Sequence, residues 1–231
     1  MFKRNKKQDD LSKNVIVREK PMSPISEQYR SLRSNIKFTM VDGNFKTLIV
    51  TSSSQTEGKS TTSANLAVAF AQQDKKVLLV DADLRKPTVH KRFRLRNNIG
   101  LTNVLVDKLD FNSVMLKSES ENLWFLTSGA TPPNPSELLD SNAMKTLVES
   151  LREKFDVIIF DAPPVLPVSD AKILGKLCDG ALVVLKQSHT KKEHLTECKK
   201  ELDIAGIKVL GTVLTNVKVD KDNKNYYYYG E

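Results

Sequence analysis

The chain has 231 residues, 39% of them apolar and 28% charged, which suits one α/β domain with a substantial core. No apolar stretch approaches the roughly 20 residues of a membrane span, and the basic start (Lys3, Arg4, Lys6, Lys7) lacks the apolar segment of a signal peptide. The two cysteines, Cys178 and Cys198, lack metal-ligand spacing and read as free thiols, while the net charge of +8 is spread without interleaved aromatics and reads as a solvated surface, not a nucleic-acid face.

Residues 1–25 are polar, with Val15-Ile16-Val17 as a short apolar run and Pro21 and Pro24 as punctuation, and they read as an irregular arm whose basic start suits a weak membrane contact. Ser26 is placed to cap a helix over 26–40 holding Tyr29, Leu32, Ile36 and Phe38. Glu27, Arg30 and Arg33 recur at intervals of three and drift slowly around one face of it. That pattern suits charge-assisted pairing with a partner, or equally a solvated face with internal pairs.

The stretch from Thr47 to Thr61 organises the rest. Leu48, Ile49 and Val50 predict a buried strand, a polar loop follows, and Gly58-Lys59-Ser60 opens a helix with Leu66, Ala67, Phe70 and Ala71 on its apolar side. Strand, loop, Gly-Lys-Ser and helix in that order is the context of a P-loop. Ser53, Ser54, Gln55, Thr56, Glu57, Gly58, Lys59, Ser60 and Thr61 would then surround a polyphosphate, Lys59 reaching its outer phosphates and the Ser60 hydroxyl ligating Mg²⁺. Ser53 and Thr56 stand where such loops often keep glycine, so the loop is expected to turn at Thr56 with ordinary dihedrals.

Lys76 to Pro87 holds an apolar run ending in Asp81-Ala82-Asp83, a strand buried on both faces with two carboxylates pointing one way at its C-terminal edge. Two acids there are costly unless they serve a cation or a proton transfer. Residues 88–121 show short helical patterns at 101–106 and 111–116. Leu123 to Leu126 is a further strand, leading into a proline-rich loop (Pro132, Pro133, Pro135) before Ser136 caps Glu137-Leu138-Leu139. Phe155 to Asp161 is an apolar strand closing on a carboxylate, the Walker B pattern, with Asp161 contacting Mg²⁺ directly or through water. Asp170 reads as an ordinary helix-start acid. Two more buried strands are expected at 181–185 and 208–214, around a helix at 191–205 carrying His189 and His194 on different faces as surface residues. The chain ends in a polar tail, 219–231, with Tyr226, Tyr227, Tyr228 and Tyr229 in a row. The whole predicts an α/β, P-loop NTPase-like, mostly parallel sheet flanked by helices on both faces, one domain over 26–218.

Together these motifs resemble the bacterial tyrosine kinases of capsule and exopolysaccharide synthesis, the CpsD/CapB type. The loop Ser53 to Thr61, the Asp-x-Asp-x-Arg set Asp81, Asp83 and Arg85, the Walker B Asp161, the Pro132–Leu139 loop, the Glu27–Arg30–Arg33 helix and the tyrosine tail all carry the likeness. It implies transfer of the ATP γ-phosphoryl group to tyrosine, with Ser60, Asp81, Asp83 and Asp161 around Mg²⁺ and Lys59 and Arg85 neutralising the migrating group. It further implies a ring-shaped homo-oligomer joined through Glu27, Arg30 and Arg33, autophosphorylation of Tyr226–Tyr229 in a neighbour's site, and protein substrates in polysaccharide synthesis and export. The activator would be a transmembrane chain-length regulator that holds this cytoplasmic protein at the inner membrane face. Relatives often place Leu-Asn near the adenine, matched here by Leu214-Thr215-Asn216, which makes Asn216 the candidate base contact.

A phenol has a pKa of about 10, so a carboxylate to accept its proton helps at neutral pH. Asp81 or Asp83 fills that role and spacing leaves the choice open. Two rival readings share the fold: a partitioning-type ATPase, whose extra P-loop lysine is missing among Ser52, Ser53 and Ser54, and a non-catalytic nucleotide sensor, which three retained aspartates speak against.

Overall fold

The computed structural model describes residues 15–39, 45–119 and 122–217. Seven strands form one sheet: β1 (Thr47–Ser52), β2 (Val77–Asp81), β3 (Leu116–Lys117), β4 (Leu123–Leu126), β5 (Val157–Asp161), β6 (Gly180–Lys186) and β7 (Val209–Thr215). Their spatial order is β3-β4-β2-β5-β1-β6-β7, all parallel except the short β3. A parallel sheet needs a crossover between each pair, and the helices supplying them cover both faces. Successive strand residues alternate between two cores. Leu48, Val50, Val77 and Leu79 pack on one side, and Ile49, Leu78, Val80 and Phe160 on the other.

α1 (Ile16–Glu19) and α2 (Pro24–Thr39) lie against α3 (Lys59–Ala71), the helix that leaves the P-loop. The expected irregular arm is thus corrected for 15–25: Val15 and Val17 are buried, and the Val17 N–H donates to Asn65 Oδ1 at 3.0 Å. Ser26 does not cap α2. Pro24 occupies the first turn, where its missing N–H costs nothing, and the Ser23 hydroxyl accepts from the Ser26 N–H at 3.2 Å. Ser26 is buried instead, its own hydroxyl 2.6 Å from the Lys20 carbonyl. Because α1 and α2 cover its outer side, α3 is buried almost all round and not on one apolar stripe.

The remaining helices are α4 (Val89–Phe93), α5 (Leu101–Val106), α6 (Phe111–Val114), α7 (Pro135–Asp140), α8 (Asn142–Lys154), α9 (Asp170–Gly175) and α10 (Lys192–Ile204). β7 is an edge strand and only half-buried, with Leu214 exposed, where a buried strand was expected. Edge position explains it, since one side of β7 has no neighbour to cover it. His189 falls in the turn before α10 and not on the helix. Cys178 and Cys198 are free thiols. Among the described residues no helix is long and apolar enough to cross a membrane.

Candidate active site

The chemistry collects at the C-terminal edge of β1, β2 and β5, adjacent central strands, where open α/β sheets bind ligands. β1 delivers the loop 53–58 and α3 starts from it at Lys59. Gly58 sits at φ 100°, and the Thr215 side chain stands 3.3 Å from where a Cβ would be, so glycine is needed on both counts. The expectation of ordinary dihedrals at Thr56 is wrong: its φ is 65°, left-handed. The Ser53 hydroxyl and the Ser54 N–H turn inward onto the buried Glu57 carboxylate, whereas Gln55 is exposed and accepts from Lys86 Nζ at 3.0 Å. What the loop offers outward is the start of α3, with Gly58, Lys59, Ser60 and Thr61 at its first turn.

Asp81 and Asp161 are directly opposite each other in the β2–β5 register, both with no exposed surface. Asp81 Oδ2 accepts the N–H groups of Thr88 and Val89 at 3.0 and 2.9 Å, tying down α4. Asp81 Oδ1 and Asp161 Oδ2 are buried without a hydrogen-bond partner. Burial first, and the facing Asp161 second, push Asp81 up to about 8. Lys59 Nζ lies 2.7 Å from Asp83 Oδ2 and 3.7 Å from Asp161 Oδ1. Burial pulls its pKa down, but Asp161 and Asp83 outweigh that and hold it above the ordinary lysine value. Asp83 also accepts the Lys86 N–H at 2.9 Å, so both its oxygens are engaged at the outer rim of the same cluster. Two orphaned carboxylate oxygens, with the Ser60 hydroxyl 3.3 Å from the same Lys59 Nζ that contacts Asp161, supply hard-oxygen donors of the kind Mg²⁺ takes. No group of three His, Cys, Asp or Glu side chains among the described residues could hold a metal alone. Magnesium does not require one, since one or two carboxylates plus substrate phosphates and water complete its shell.

Arg85, expected to neutralise a migrating phosphoryl group, is held in an ion pair. Its guanidinium grips the fully buried Asp170 at 2.8 and 3.0 Å and lies 2.9 Å from Ser136 Oγ, which is itself 2.6 Å from Asp170 Oδ1. Asp170, read from sequence as a helix-start acid, therefore joins the loops after β2, β4 and β5, and Ser136 is one of its ligands while Asn134 takes the cap position of α7. Arg85→Ala should leave Asp170 buried with Ser136 as its remaining side-chain partner, at a cost of about 2–3 kcal/mol. The checking measurement is urea unfolding, and a midpoint equal to that of the parent chain would show the pair to be dispensable.

Asn216 follows β7 at φ 57° with its side chain exposed, and the neighbouring Thr215 is what touches the P-loop, its hydroxyl 2.7 Å from the Glu57 carbonyl. Arg92 is a second residue without sequence signal: it is buried, its Nε and Nη1 lack hydrogen-bond partners, and burial lowers its pKa against the pull of Asp161, Tyr29 and Asp81. Glu27, Arg30 and Arg33 lie on α2, and they do not share one exposed face. Glu27 and Arg30 form an exposed pair at 2.9 Å, while Arg33 is buried and donates to the Ala69 carbonyl at the end of α3 at 2.7 Å. The 2.7 Å bond satisfies a carbonyl in the last turn of α3, a physical reason for a cation to turn inward there. Tyr226–Tyr229 lie outside the described residues. A cavity of about 190 Å³ lined by Lys37, Phe45, Lys46, Phe70 and Lys75 opens at the N-terminal ends of the strands and has no part in this cluster.

Fold and site define a P-loop nucleotide-binding domain with an acidic cluster of the kind that takes magnesium. Residues 45–205 match the AAA domain family. The chain is 48% identical over 220 residues to the tyrosine-protein kinase YwqD of Bacillus subtilis, covering 95% of this chain and 92% of that protein. It is 35% identical to the tyrosine-protein kinase CpsD of Streptococcus agalactiae, covering 88% of each. The solved structure of the chimerical protein CapA2B2 superposes with a TM-score of 0.86 at 40% identity, covering 90% of this chain and 91% of that one. The septum site-determining protein MinD of Pyrococcus horikoshii, solved with Mg-ADP, gives a TM-score of 0.63 at 26% identity, covering 74% and 70%. The chain belongs to the bacterial protein-tyrosine kinases of the capsule-synthesis type, built on a P-loop NTPase-like sheet.

Proposed function

We propose that this kinase transfers the γ-phosphoryl group of ATP to tyrosines of its own tail, Tyr226–Tyr229, and to proteins of capsular or exopolysaccharide synthesis and export. The observation that carries the reading is the convergence of Lys59, Ser60, Asp81, Asp83 and Asp161 at one sheet edge, with two buried carboxylate oxygens unpaired. Asp81 and Asp161, facing each other in the buried interior, would hold Mg²⁺ together with Ser60, and the bound ion would supply charge neutralisation for the phosphates. Asp83, at the outer rim, is the base. Lys59 moves from Asp83 onto the outer phosphates, which frees Asp83 Oδ2 to take the phenol proton. The phenol oxygen then bonds to the γ-phosphorus, the bond from that phosphorus to the bridging oxygen breaks, and ADP leaves with the electron pair. Arg85 acts by holding Asp170 and the proline-rich loop in place.

Asn216 contacts the base, and the exposed Glu27–Arg30 pair joins subunits in a ring, with Arg33 bracing the helix from within. A transmembrane chain-length regulator activates the kinase and keeps it at the cytoplasmic face of the membrane. The test is incubation with Mg-ATP and a cytosolic activator fragment, followed by peptide mass spectrometry. Phosphate on Tyr226–Tyr229, absent in Lys59→Met, is the expected result. ATP hydrolysis with an unmodified tail would replace the kinase assignment of this tail by an ATPase cycle.

A further inference from the structure

The P-loop turns at Thr56, a β-branched residue at φ 65°, where an L side chain is strained and a glycine would not be. The next residue, Glu57, is a carboxylate with 1% exposure and no ion-pair partner within 4 Å among the described residues. Its oxygens are held by neutral donors alone. Oε2 accepts the Ser54 N–H at 2.9 Å, both oxygens lie 2.9–3.0 Å from the Ser53 hydroxyl, and Oε1 accepts the Thr190 hydroxyl. Its backbone carbonyl accepts the Thr215 hydroxyl at 2.7 Å. Thr190 lies in the turn between β6 and α10 and Thr215 ends β7, so the loop is bolted to two strands beyond its own. A buried carboxylate this close to a phosphate-binding loop would repel its ligand if it faced outward. Instead it reaches back three residues and closes residues 54–57 into a ring.

We infer that Glu57 is a positioning residue: with Thr190 and Thr215 it clamps the glycine-poor loop in the strained shape that leaves the first N–H groups of α3 open to phosphate. The clamp acts on nucleotide affinity and not on the transfer step. The inference rests on the P-loop reading, which binding of ATP by the unaltered chain tests separately; a parent chain that binds no nucleotide overturns that reading and the clamp with it.

The experiment measures Mg-ADP binding by titration calorimetry and kinase KM and kcat, for Thr190→Val, Thr190→Ser, Glu57→Gln, Thr56→Gly and the double variant Glu57→Gln/Thr56→Gly. Thr190→Val removes the hydroxyl at nearly constant volume, and is expected to weaken Mg-ADP about 5–10-fold and raise KM alike, with kcat within about twofold. Thr190→Ser keeps the hydroxyl, including its acceptance of the Lys186 N–H at 2.9 Å, and should bind like the parent. Glu57→Gln should lose more affinity than Thr190→Val, and adding Thr56→Gly should recover most of the loss, because glycine adopts the turn without a clamp. Equal losses for Thr190→Val and Thr190→Ser, parent-like affinity in Thr190→Val, or a Glu57→Gln loss untouched by Thr56→Gly would each overturn the inference. If Glu57→Gln fails to fold, the Thr190 pair decides alone.

Discussion

Lys59→Met is expected to lower tyrosine phosphorylation by about 10²–10³-fold, the scale on which removing one preorganised charge stabiliser acts. Lys59 has 12% of its side chain exposed and sits 2.7 Å from Asp83 and 3.7 Å from Asp161, with Asp81 also within its field. It is the cation in ion-pair contact with two of the three carboxylates at this sheet edge. Its loss acts twice, by removing positive charge from the migrating phosphoryl group and by leaving Asp83 and Asp161 without the ammonium they share. Initial rates of phosphate incorporation measure the first effect and thermal unfolding with EDTA the second. A rate within tenfold of the parent would show that Lys59 does not stabilise the transferred group. Unchanged thermal stability would show that the carboxylates are neutralised by protons and not by this ammonium.

Asp81→Asn should separate function from stability. Burial, then Asp161, raise Asp81 from 3.8 to about 8, against the Val89 N–H and Lys59, which favour its ionised form. A raised carboxyl pKa means that the folded state holds a proton the unfolded chain gives up. Its contribution to stability is therefore complete below about pH 4 and is lost as the pH rises through about 8. The neutral amide does not titrate, and its oxygen can still accept from Thr88 and Val89. At pH 8 with EDTA, Asp81→Asn should be more stable than the parent by about 2 kcal/mol, or roughly 4–8 °C in Tm, the gap closing toward pH 5. Turnover should fall by at least about 10²-fold, with the Mg²⁺ dependence weakened, if Asp81 is the ligand of the ion proposed above. Equal Tm values at pH 8 would mean that Asp81 is ionised in the metal-free fold. Retained Mg²⁺ dependence would remove it from the metal-binding set. Asp83→Asn, by contrast, should keep the Mg²⁺ dependence and lose turnover.

Much of the fold was legible in the chain, for definite reasons. A strand buried on both faces must be apolar at every position, so Leu48–Val50, Val77–Val80 and Val157–Phe160 stand out without any knowledge of their neighbours. Glycine followed by lysine and serine at a strand-to-helix turn, and aspartates at the ends of two apolar runs, carry their chemistry locally, because the backbone itself aims them at one edge. The signals that misled were also local. Ser26 has the chemistry of a cap, but Pro24 sets the helix start two residues earlier, and a run of three apolar residues, 15–17, is too short to announce that it covers α3.

What the sequence by itself determined is which residue types reach the C-terminal edge of the central strands: Lys59, Ser60, Asp81, Asp83 and Asp161 are named by position along their own strands and helix. Only the tertiary structure decided how they are held. Arg85 finds Asp170 across 85 positions, Arg33 finds Ala69 across 36, and Glu57 finds Thr190 across 133. Those partnerships depend on strand order, and a period-2 pattern states which face a residue takes but not which strand lies beside it. Placing β5 between β1 and β2 is what sets Asp161 against Asp81, and that one adjacency turns two ordinary strand-end acids into a buried pair with unpartnered oxygens.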